Sequence, residues 1–310
     1  MINLKENPVS VLLIGYGSIG KRHARNLIEM GIKPIILTQH PDELSAQFVT
    51  DLFLIKDEAI DYCIISSPTC RHFDDLKKLR ELKHVPKKIL IEKPVEVSFK
   101  KGIRLSLFAK KHKLTIFVAY NLRFLPAFDQ IRAFIQEKKT NIRIVEIVAG
   151  QDLREWRKGD YTRSYSAHRK EGGGVDLDLS HEVDYLLWLF GKNSKKGIIY
   201  RNHISSLDID SPDIFTLTSE YDSFVAYVML DYIRKPKTRY LKILCEDGEN
   251  LFYDLVTNTL EIKREKTVIS EGSNDTYRSM LRAFLDTDPK KVSKLCTLQE
   301  GLEVLKTLQV

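Results

Sequence analysis

The chain has 310 residues, of which 43% are hydrophobic, so it is long enough for two domains with substantial cores. Its formal net charge is +7, but lysine pairs are spread along the chain among acidic residues, which indicates a solvated surface rather than a nucleic-acid-binding face. Neither a membrane span nor an apolar export segment in residues 1–8 is found, and the four cysteines lack the paired spacing of a zinc site or disulfide framework. The sequence predicts a cytoplasmic protein without nucleic-acid, membrane or metal partners.

Short apolar runs alternate with helical patterns through the first 120 residues. Buried strands are predicted at 9–14, 34–37, 61–66, 88–91 and 115–119, and the segments between them carry helical patterns, except that 44–56 predicts a strand only weakly. Strands that alternate with helices predict a doubly wound parallel sheet, the Rossmann α/β architecture. We therefore assign residues 1–120 to a dinucleotide-binding domain.

Beyond Tyr120 the pattern changes. Residues 126–138 and 179–190 have helical spacing, whereas 142–148 and several short runs between 198 and 255 predict strands joined by short turns, hence a mostly antiparallel sheet. The polar segment 151–174 ends in three glycines and is too long for a turn, so it is predicted to be a functional loop. Two helices near 275–285 and 298–308 end the chain. Residues 121–310 form a predicted α+β substrate-binding domain.

A glycine motif, Gly15-Tyr16-Gly17-Ser18-Ile19-Gly20, follows the first strand and opens the first helix. Gly15 permits a tight turn, Gly17 lets the backbone approach a pyrophosphate, and Gly20 lets helix and strand pack closely. The N–H groups at the start of the helix then face the anion. In this context the motif predicts a bound dinucleotide.

The end of the second strand bears on the choice between NAD and NADP. An acidic residue there would bind the ribose diol of NAD, but this chain has Thr38-Gln39-His40, with Asp42 and Glu43 beyond. The missing carboxylate leaves room for the 2′-phosphate of NADP, which Arg22, Thr38 and His40 are candidates to contact. Both cofactors stay open, and NADP is slightly favoured.

Five motifs follow one another along the chain: Gly15 to Gly20 with Lys21-Arg22-His23, Ser67-Pro68-Thr69 with His72, Glu92-Lys93-Pro94, Tyr120-Asn121-Leu122-Arg123-Phe124 with Pro126, and Gly172-Gly173-Gly174 with Asp178, His181 and Asp184. In this combination the sequence resembles the Gfo/Idh/MocA oxidoreductases, the family of glucose–fructose oxidoreductase and inositol 2-dehydrogenase, over almost its whole length. The resemblance implies a second domain built on a large open, mainly antiparallel sheet, through which members commonly form homo-oligomers, here a dimer or tetramer. It also implies hydride exchange with a carbon of a sugar, cyclitol or related compound.

Lys93 is the predicted polarising group. It ends a parallel strand on the side where α/β sheets bind ligands, and an ammonium there stabilises the alkoxide that develops as hydride departs. The resemblance implies that Glu92-Lys93-Pro94 lies between nicotinamide and substrate, with Glu92 structural or near the nicotinamide. It likewise implies cofactor contacts for Ser67, Pro68, Thr69 and His72.

His181 is the candidate acid/base, since an unperturbed histidine pKa of about 6.5 suits proton exchange with a hydroxyl near neutral pH. Asp178, one helical turn earlier, is predicted to orient its ring. Most relatives place that Asp four residues before the His, whereas here the spacing is three. Asp176 and Asp184 therefore remain rivals, and a helix-start Asp beside a packed His is the alternative.

Tyr120 and Arg123 are predicted substrate contacts, although bracing the protein is an alternative role for Arg123. The functional loop carries an interleaved aromatic and cationic set, of which Trp156 and Arg157 are assigned to the substrate: Arg154, Trp156, Arg157, Tyr161, Arg163, Tyr165 and His168. Such a set suits a sugar or nucleotide-linked sugar, and also an oligomer interface.

The sequence thus predicts an NAD(P)-dependent dehydrogenase or reductase acting on a CH–OH group of a sugar, cyclitol or nucleotide-sugar, and the Arg and Tyr loop favours an acidic or nucleotide-activated sugar. The alternative is a non-catalytic NAD(P)-binding regulator of the same fold, because function follows the site rather than the fold. The presence of both Lys93 and His181 argues against a regulator. A methyltransferase would rest on the glycine loop alone.

Overall fold

The computed structural model describes residues 9–157, 159–192, 197–270, 272 and 274–309. The expectation that residues 1–8 contain no export segment concerns residues outside this part of the chain. Within it, no helix combines the length and the apolar character that crossing a membrane requires.

The strands are β1 (Val11–Ile14), β2 (Ile35–Leu37), β3 (Gln47–Val49), β4 (Tyr62–Ile65), β5 (Lys88–Ile91), β6 (Thr115–Val118), β7 (Ile142–Gly150), β8 (Ile198–Asn202), β9 (Ile214–Glu220), β10 (Val225–Asp231), β11 (Thr238–Cys245), β12 (Leu251–Asp254), β13 (Thr259–Ile262), β14 (Glu265–Val268) and β15 (Cys296–Thr297). The α-helices are α1 (Ser18–Glu29), α2 (His72–Lys78), α3 (Phe99–Lys111), α4 (Ala127–Lys138), α5 (Leu153–Trp156), α6 (Val175–Asp178), α7 (His181–Phe190), α8 (Asp275–Leu285), α9 (Pro289–Val292) and α10 (Leu298–Gln309).

The first compact unit is built on a seven-stranded sheet in the order β15-β6-β5-β4-β1-β2-β3. All neighbouring strands are parallel except β15, which is antiparallel to β6. Val11, Leu12 and Leu13 of β1 are completely buried, as a central strand covered on both faces requires. The predicted doubly wound parallel sheet is confirmed, and the carboxyl ends of β1, β4 and β5 lie side by side at one edge.

The first unit also contains Asn274–Leu305. This corrects the predicted assignment of all of 121–310 to a second domain. The physical reason is pairing and packing with the first 121 residues: β15 adds a strand beside β6, α8 contacts α1, and Leu302 of α10 packs on Gly102 of α3.

The second unit, Leu122–Ser273 with Lys306–Val310, is built on an eight-stranded sheet in the order β14-β13-β12-β11-β7-β10-β9-β8. Neighbouring strands in this sheet are antiparallel, except that β7 and β10 are parallel, so the predicted mainly antiparallel sheet is confirmed. Side chains alternate along the strands between a buried face and a solvent-accessible face, on which Tyr227, Met229 and Phe252 are exposed.

The predicted helix at 179–190 begins two residues later, and a separate short helix precedes it. α6 ends at Asp178, Leu179 and Ser180 form the junction, and α7 begins at His181. The argument that Asp178 and His181 share one helix face therefore does not hold, because the two residues belong to different helices.

Candidate active site

The glycine loop is tied to the end of the neighbouring strand β4. Gly15 has φ +93°, and a Cβ built on it would lie 2.5 Å from the Ser67 nitrogen, so only glycine fits this turn. The Ser66 hydroxyl donates to the Gly15 carbonyl at 2.9 Å. The loop is therefore held against the start of the Ser67-Pro68-Thr69 segment.

The start of α1 has the properties of a pyrophosphate site. Gly17 caps the helix without a side-chain hydrogen bond, no acidic residue lies in the first turn, and a Cβ at Gly17 would meet open space. A helix N-terminus with uncapped N–H groups favours an anion. The residues present therefore fit the diphosphate of a dinucleotide.

Lys93 follows β5 in a segment that a buried contact between His23 and Glu92 connects to α1. Nε2 of His23, which is completely buried, lies 2.7 Å from Oε1 of Glu92, and the other carboxylate oxygen accepts from the Lys93 backbone N–H at 3.2 Å. Lys93 itself is half-buried. Glu92 thus fixes the backbone of the lysine to the helix that carries the glycine loop, which favours a positioning role for Glu92 and His23.

His72 connects the loop that follows β4 to the loop that follows β5. Its ring nitrogens lie 2.9 Å from the Ser67 carbonyl and 3.2 Å from the Val95 carbonyl. Burial is the largest influence on the pKa of His72 and lowers it, against the opposing effect of these carbonyls. The neutral His72 ring donates a hydrogen bond to one of these carbonyls, which indicates a structural role for His72.

The glycine loop contacts a carboxylate from the loop after β2 that the sequence position did not place there. Asp42 accepts from the Tyr16 hydroxyl at 2.7 Å and from Lys21 Nζ at 3.0 Å. The Tyr16 bond is the largest cause that lowers the pKa of Asp42, while burial and Asp42 raise the pKa of Tyr16 to about 12. Asp42 is therefore an anion beside the second residue of the glycine motif.

Arg22, Thr38 and His40, the three residues predicted to contact a 2′-phosphate, do not share a partner among the described contacts. The Thr38 hydroxyl accepts from the His40 backbone N–H at 3.1 Å, and both residues lie at the end of β2. The Arg22 guanidinium lies 4.7 Å from the ring centroid of Tyr277 on α8. No interaction described for these residues brings Arg22 together with Thr38 and His40.

In the second unit, Asp178 is the centre of a buried network. Its Oδ1 accepts from the Tyr165 hydroxyl at 2.6 Å, and its Oδ2 accepts from Arg157, Ser166 and Tyr232 at 2.6–2.8 Å. Burial and the Asp178 charge both raise the pKa values of Tyr165 and Tyr232, so these phenols stay protonated and donate. Asp178 therefore anchors the loop through four hydrogen bonds, which sequence spacing could not show.

Arg157 lies between two aromatic rings. Its guanidinium carbon is 4.5 Å from the Trp156 centroid and 4.9 Å from the Tyr165 centroid, while Nη2 binds Asp178 at 2.8 Å. Tyr165 is 39% exposed as a residue although its hydroxyl is bound by Asp178, so part of the residue is open to solvent. This arrangement favours the rings, rather than the Arg157 charge, as ligand-contacting groups.

The functional loop is pressed against the start of α6 at Gly173. A Cβ there would lie 2.3 Å from the Tyr165 carbonyl and 2.6 Å from the Ser166 carbonyl. The second of the three glycines is therefore required by close packing of the loop backbone, and the loop residues that bind Asp178 are held in place by it.

The rival acids are bound by arginines, Asp176 by Arg169 and Arg201 and Asp184 by Arg123. Asp176 accepts from Arg169 at 2.8 and 3.1 Å, whereas Arg123 makes a bidentate pair with Asp184, the shortest contact being 2.7 Å. Arg123 and Asp184 are 2% and 1% exposed. These contacts favour the structural alternative for all three residues, including Arg123, which the sequence assigned to substrate.

His181 and Tyr120 are both buried. His181 is 8% exposed at the first position of α7, and Tyr120 is 1% exposed two residues after β6.

In the described part of the chain, no three His, Cys, Asp or Glu side chains gather as metal ligands would.

Replacing Arg123 with Met is expected to lower the free energy of unfolding by about 3–5 kcal/mol, because the buried Asp184 carboxyl would lose its counter-ion and hydrogen-bond donor. Urea unfolding followed by circular dichroism measures the change. Arg104→Ala, an exposed arginine on α3, is the control and should change stability by less than about 0.5 kcal/mol. Unchanged stability of Arg123→Met would contradict the structural role of the Arg123–Asp184 pair.

The doubly wound sheet, the glycine loop against β4 and the lysine segment at the end of β5 define the class of NAD(P)-dependent oxidoreductases. More narrowly, part of the chain matches the model of one family, the Gfo/Idh/MocA oxidoreductases. That family's model, described as "Oxidoreductase family, NAD-binding Rossmann fold", matches residues 9–120. The resemblance predicted from the motifs is confirmed, as is the prediction of an NAD(P)-dependent dehydrogenase.

Relatives match nearly the whole chain. It is 25% identical over 320 residues to the uncharacterized oxidoreductase YrbE of Bacillus subtilis (strain 168), with 94% of this chain and 89% of YrbE covered. UDP-N-acetylglucosamine 3-dehydrogenase GnnA from Acidithiobacillus ferrooxidans superposes with a TM-score of 0.75 at 18% identity, covering 97% of this chain and 96% of GnnA. An inositol dehydrogenase homolog from Azotobacter vinelandii, complexed with NADH and myo-inositol, gives 0.74 at 13% identity, covering 98% and 94%. At such identities these two structures show a shared fold.

Proposed function

We propose that the chain oxidises or reduces a secondary alcohol carbon of a sugar, cyclitol or nucleotide-sugar. The observation that carries this proposal is that the Gly15–Gly20 loop and the Lys93 segment follow the carboxyl ends of β1 and β5, on either side of β4, and are joined by the 2.7 Å contact of His23 with Glu92. Ligands of doubly wound sheets bind at this edge. The relatives whose names include UDP-N-acetylglucosamine and inositol support the substrate class.

The proposed catalytic groups are Lys93 and His181. When bound, the nicotinamide supplies the acceptor or donor of hydride. Lys93 donates a hydrogen bond to the reacting oxygen and stabilises its negative charge, and His181 accepts the hydroxyl proton during oxidation. Ser67, Pro68, Thr69 and His72 support the nicotinamide side.

Asp178 is proposed as a positioning residue rather than as the base. Four hydrogen bonds to its carboxylate stabilise the charged form, so it is a poor proton acceptor near neutral pH. Its charge fixes Arg157, and through Arg157 the orientation of the Trp156 and Tyr165 rings. Those rings supply an apolar surface on which a sugar or nucleobase stacks, and Tyr120 remains a proposed substrate contact.

The open face of the eight-stranded sheet is proposed to form the contact between subunits of a homo-oligomer. Tyr227 and Met229 of β10 and Phe252 of β12 are 46%, 38% and 37% exposed on it. Exposed apolar side chains on a sheet face favour association. The resemblance to the Gfo/Idh/MocA oxidoreductases, whose members commonly associate through such a sheet, supports the same contact. Light scattering over a range of protein concentrations tests the oligomeric state.

A substrate panel tests the enzymatic proposal. Purified protein is mixed with NAD⁺ or NADP⁺ and with neutral hexoses, cyclitols, uronic acids or UDP-sugars, and NAD(P)H formation is followed by absorbance. Turnover of at least one compound supports the proposal, and a preference for UDP-sugars or uronic acids would support the finer assignment. Tight cofactor binding with no turnover in either direction would favour the alternative, a non-catalytic NAD(P)-binding regulator.

A further inference from the structure

The loop after β2 folds back onto the glycine motif. Asp42 lies four residues beyond Thr38, yet its carboxylate is bound by Tyr16, the second residue of the motif, and by Lys21 of α1. Its Oδ1 also accepts from the backbone N–H of Leu44 at 3.1 Å, which closes a local turn. The carboxylate is thus positioned from both ends of the loop.

Tyr16 is itself fixed on its other sides. Its ring packs edge-on against Phe48 of β3, with centroids 5.4 Å apart, and Lys21 Nζ lies 5.0 Å from the ring centroid. Asp42 therefore occupies a defined place beside the dinucleotide loop, on the side of the β2 and β3 ends. In a Rossmann fold the adenosine ribose lies at the end of the second strand.

We propose that Asp42 supplies the ribose-diol acceptor that position 38 lacks, so that this chain binds NAD(H) in preference to NADP(H). The inference rests on the cofactor role of the Rossmann unit in the proposed function. A carboxylate offers about four acceptor positions, and the described contacts of Asp42 use three, leaving one for a ribose hydroxyl. Its side chain is 36% exposed and thus accessible to the cofactor.

The same arrangement disfavours a 2′-phosphate. That group carries negative charge and has no proton to donate to a carboxylate at neutral pH, so Asp42 would repel it. Lys21, the cation nearest to Asp42 among the described contacts, is neutralised by Asp42 at 3.0 Å, and Arg22 lies over the Tyr277 ring. This reverses the slight preference for NADP that the sequence position alone favoured.

The test measures cofactor affinity directly and needs no substrate. NADH and NADPH are titrated into wild type, Asp42→Asn and Glu43→Gln, and nucleotide fluorescence gives each Kd. Wild type is expected to bind NADH at least about tenfold more tightly than NADPH, as a hydrogen bond to a charged acceptor allows. Asp42→Asn should weaken NADH, strengthen NADPH and bring the two Kd values together, whereas Glu43→Gln, which removes the adjacent exposed charge, should keep the wild-type ratio.

Three results would overturn the inference while leaving the oxidoreductase proposal in place. They are equal or tighter NADPH binding by wild type, an unchanged ratio in Asp42→Asn, and an equal shift in Glu43→Gln. Failure of the wild type to bind either nucleotide would instead overturn the cofactor role, and with it both proposals, so the two kinds of failure are distinguishable. Tyr16→Phe adds a second variant: loss of the hydroxyl that holds Asp42 should weaken NADH more than NADPH.

Discussion

Lys93→Ala is expected to reduce turnover at least about a hundredfold while leaving the affinity for the nicotinamide cofactor nearly unchanged. The expectation follows from where the residue lies. Lys93 comes directly after β5, and its backbone N–H is bound by Glu92, which is paired with His23 on the glycine-loop helix. An ammonium in such a place stabilises an alkoxide that exists only as hydride departs, so its loss affects the transition state more than the ground state.

Steady-state turnover with the substrate found in the panel, together with fluorescence titration of NADH, measures the two quantities separately. Lys100→Ala, which removes an exposed lysine at the start of α3, is the matched control and should behave like wild type. Lys93→Arg keeps the charge but changes the donor geometry, and partial activity there would identify electrostatics as the larger contribution. Near-normal turnover of Lys93→Ala would remove this residue from the mechanism.

The elements with local signals were predictable from the sequence. β1, β4 and β5 are short apolar runs with glycine or proline nearby. Such a run is typical of a parallel strand that is buried on both faces. β15 is two residues long and has no periodicity of its own, because it exists only through pairing with β6. For the same reason the return of Asn274–Leu305 to the first unit could not be derived from local patterns.

The candidate site divides in the same way. The glycine loop is a local motif, and its geometry at Gly15 agrees with the reason that the motif needs glycine. The partners of Asp178 come from positions 12 to 54 residues away, so spacing around His181 carried no information about them. Asp42 was visible in the sequence, but only the fold of its loop brings it to Tyr16. Long-range contacts between polar side chains are the part that a single sequence does not specify.

The predicted base is tested by His181→Asn, which should keep the fold and the cofactor affinity and lower turnover by roughly 10²–10⁴-fold. His181 is the first residue of α7 and is nearly buried, so asparagine, a polar residue of similar length, is the least disruptive replacement. Circular dichroism checks that the variant is folded, and NADH titration checks that the first unit still binds the cofactor. A variant that is folded, binds cofactor and turns over normally would contradict the assignment.

The pH dependence gives a second readout that a merely structural histidine would not move. Only the neutral imidazole accepts a proton, so the wild-type rate of alcohol oxidation should rise with pH through one ionisation in the range where histidine titrates. In His181→Asn that ionisation should disappear from the profile. In Asp178→Asn it should persist, with a smaller loss of rate, because Asp178 is bound by Arg157 and three hydroxyl groups and does not itself carry the proton. If the ionisation survives in His181→Asn and is lost in Asp178→Asn, the carboxylate is the base, and the three-residue spacing has exchanged the roles of the two residues.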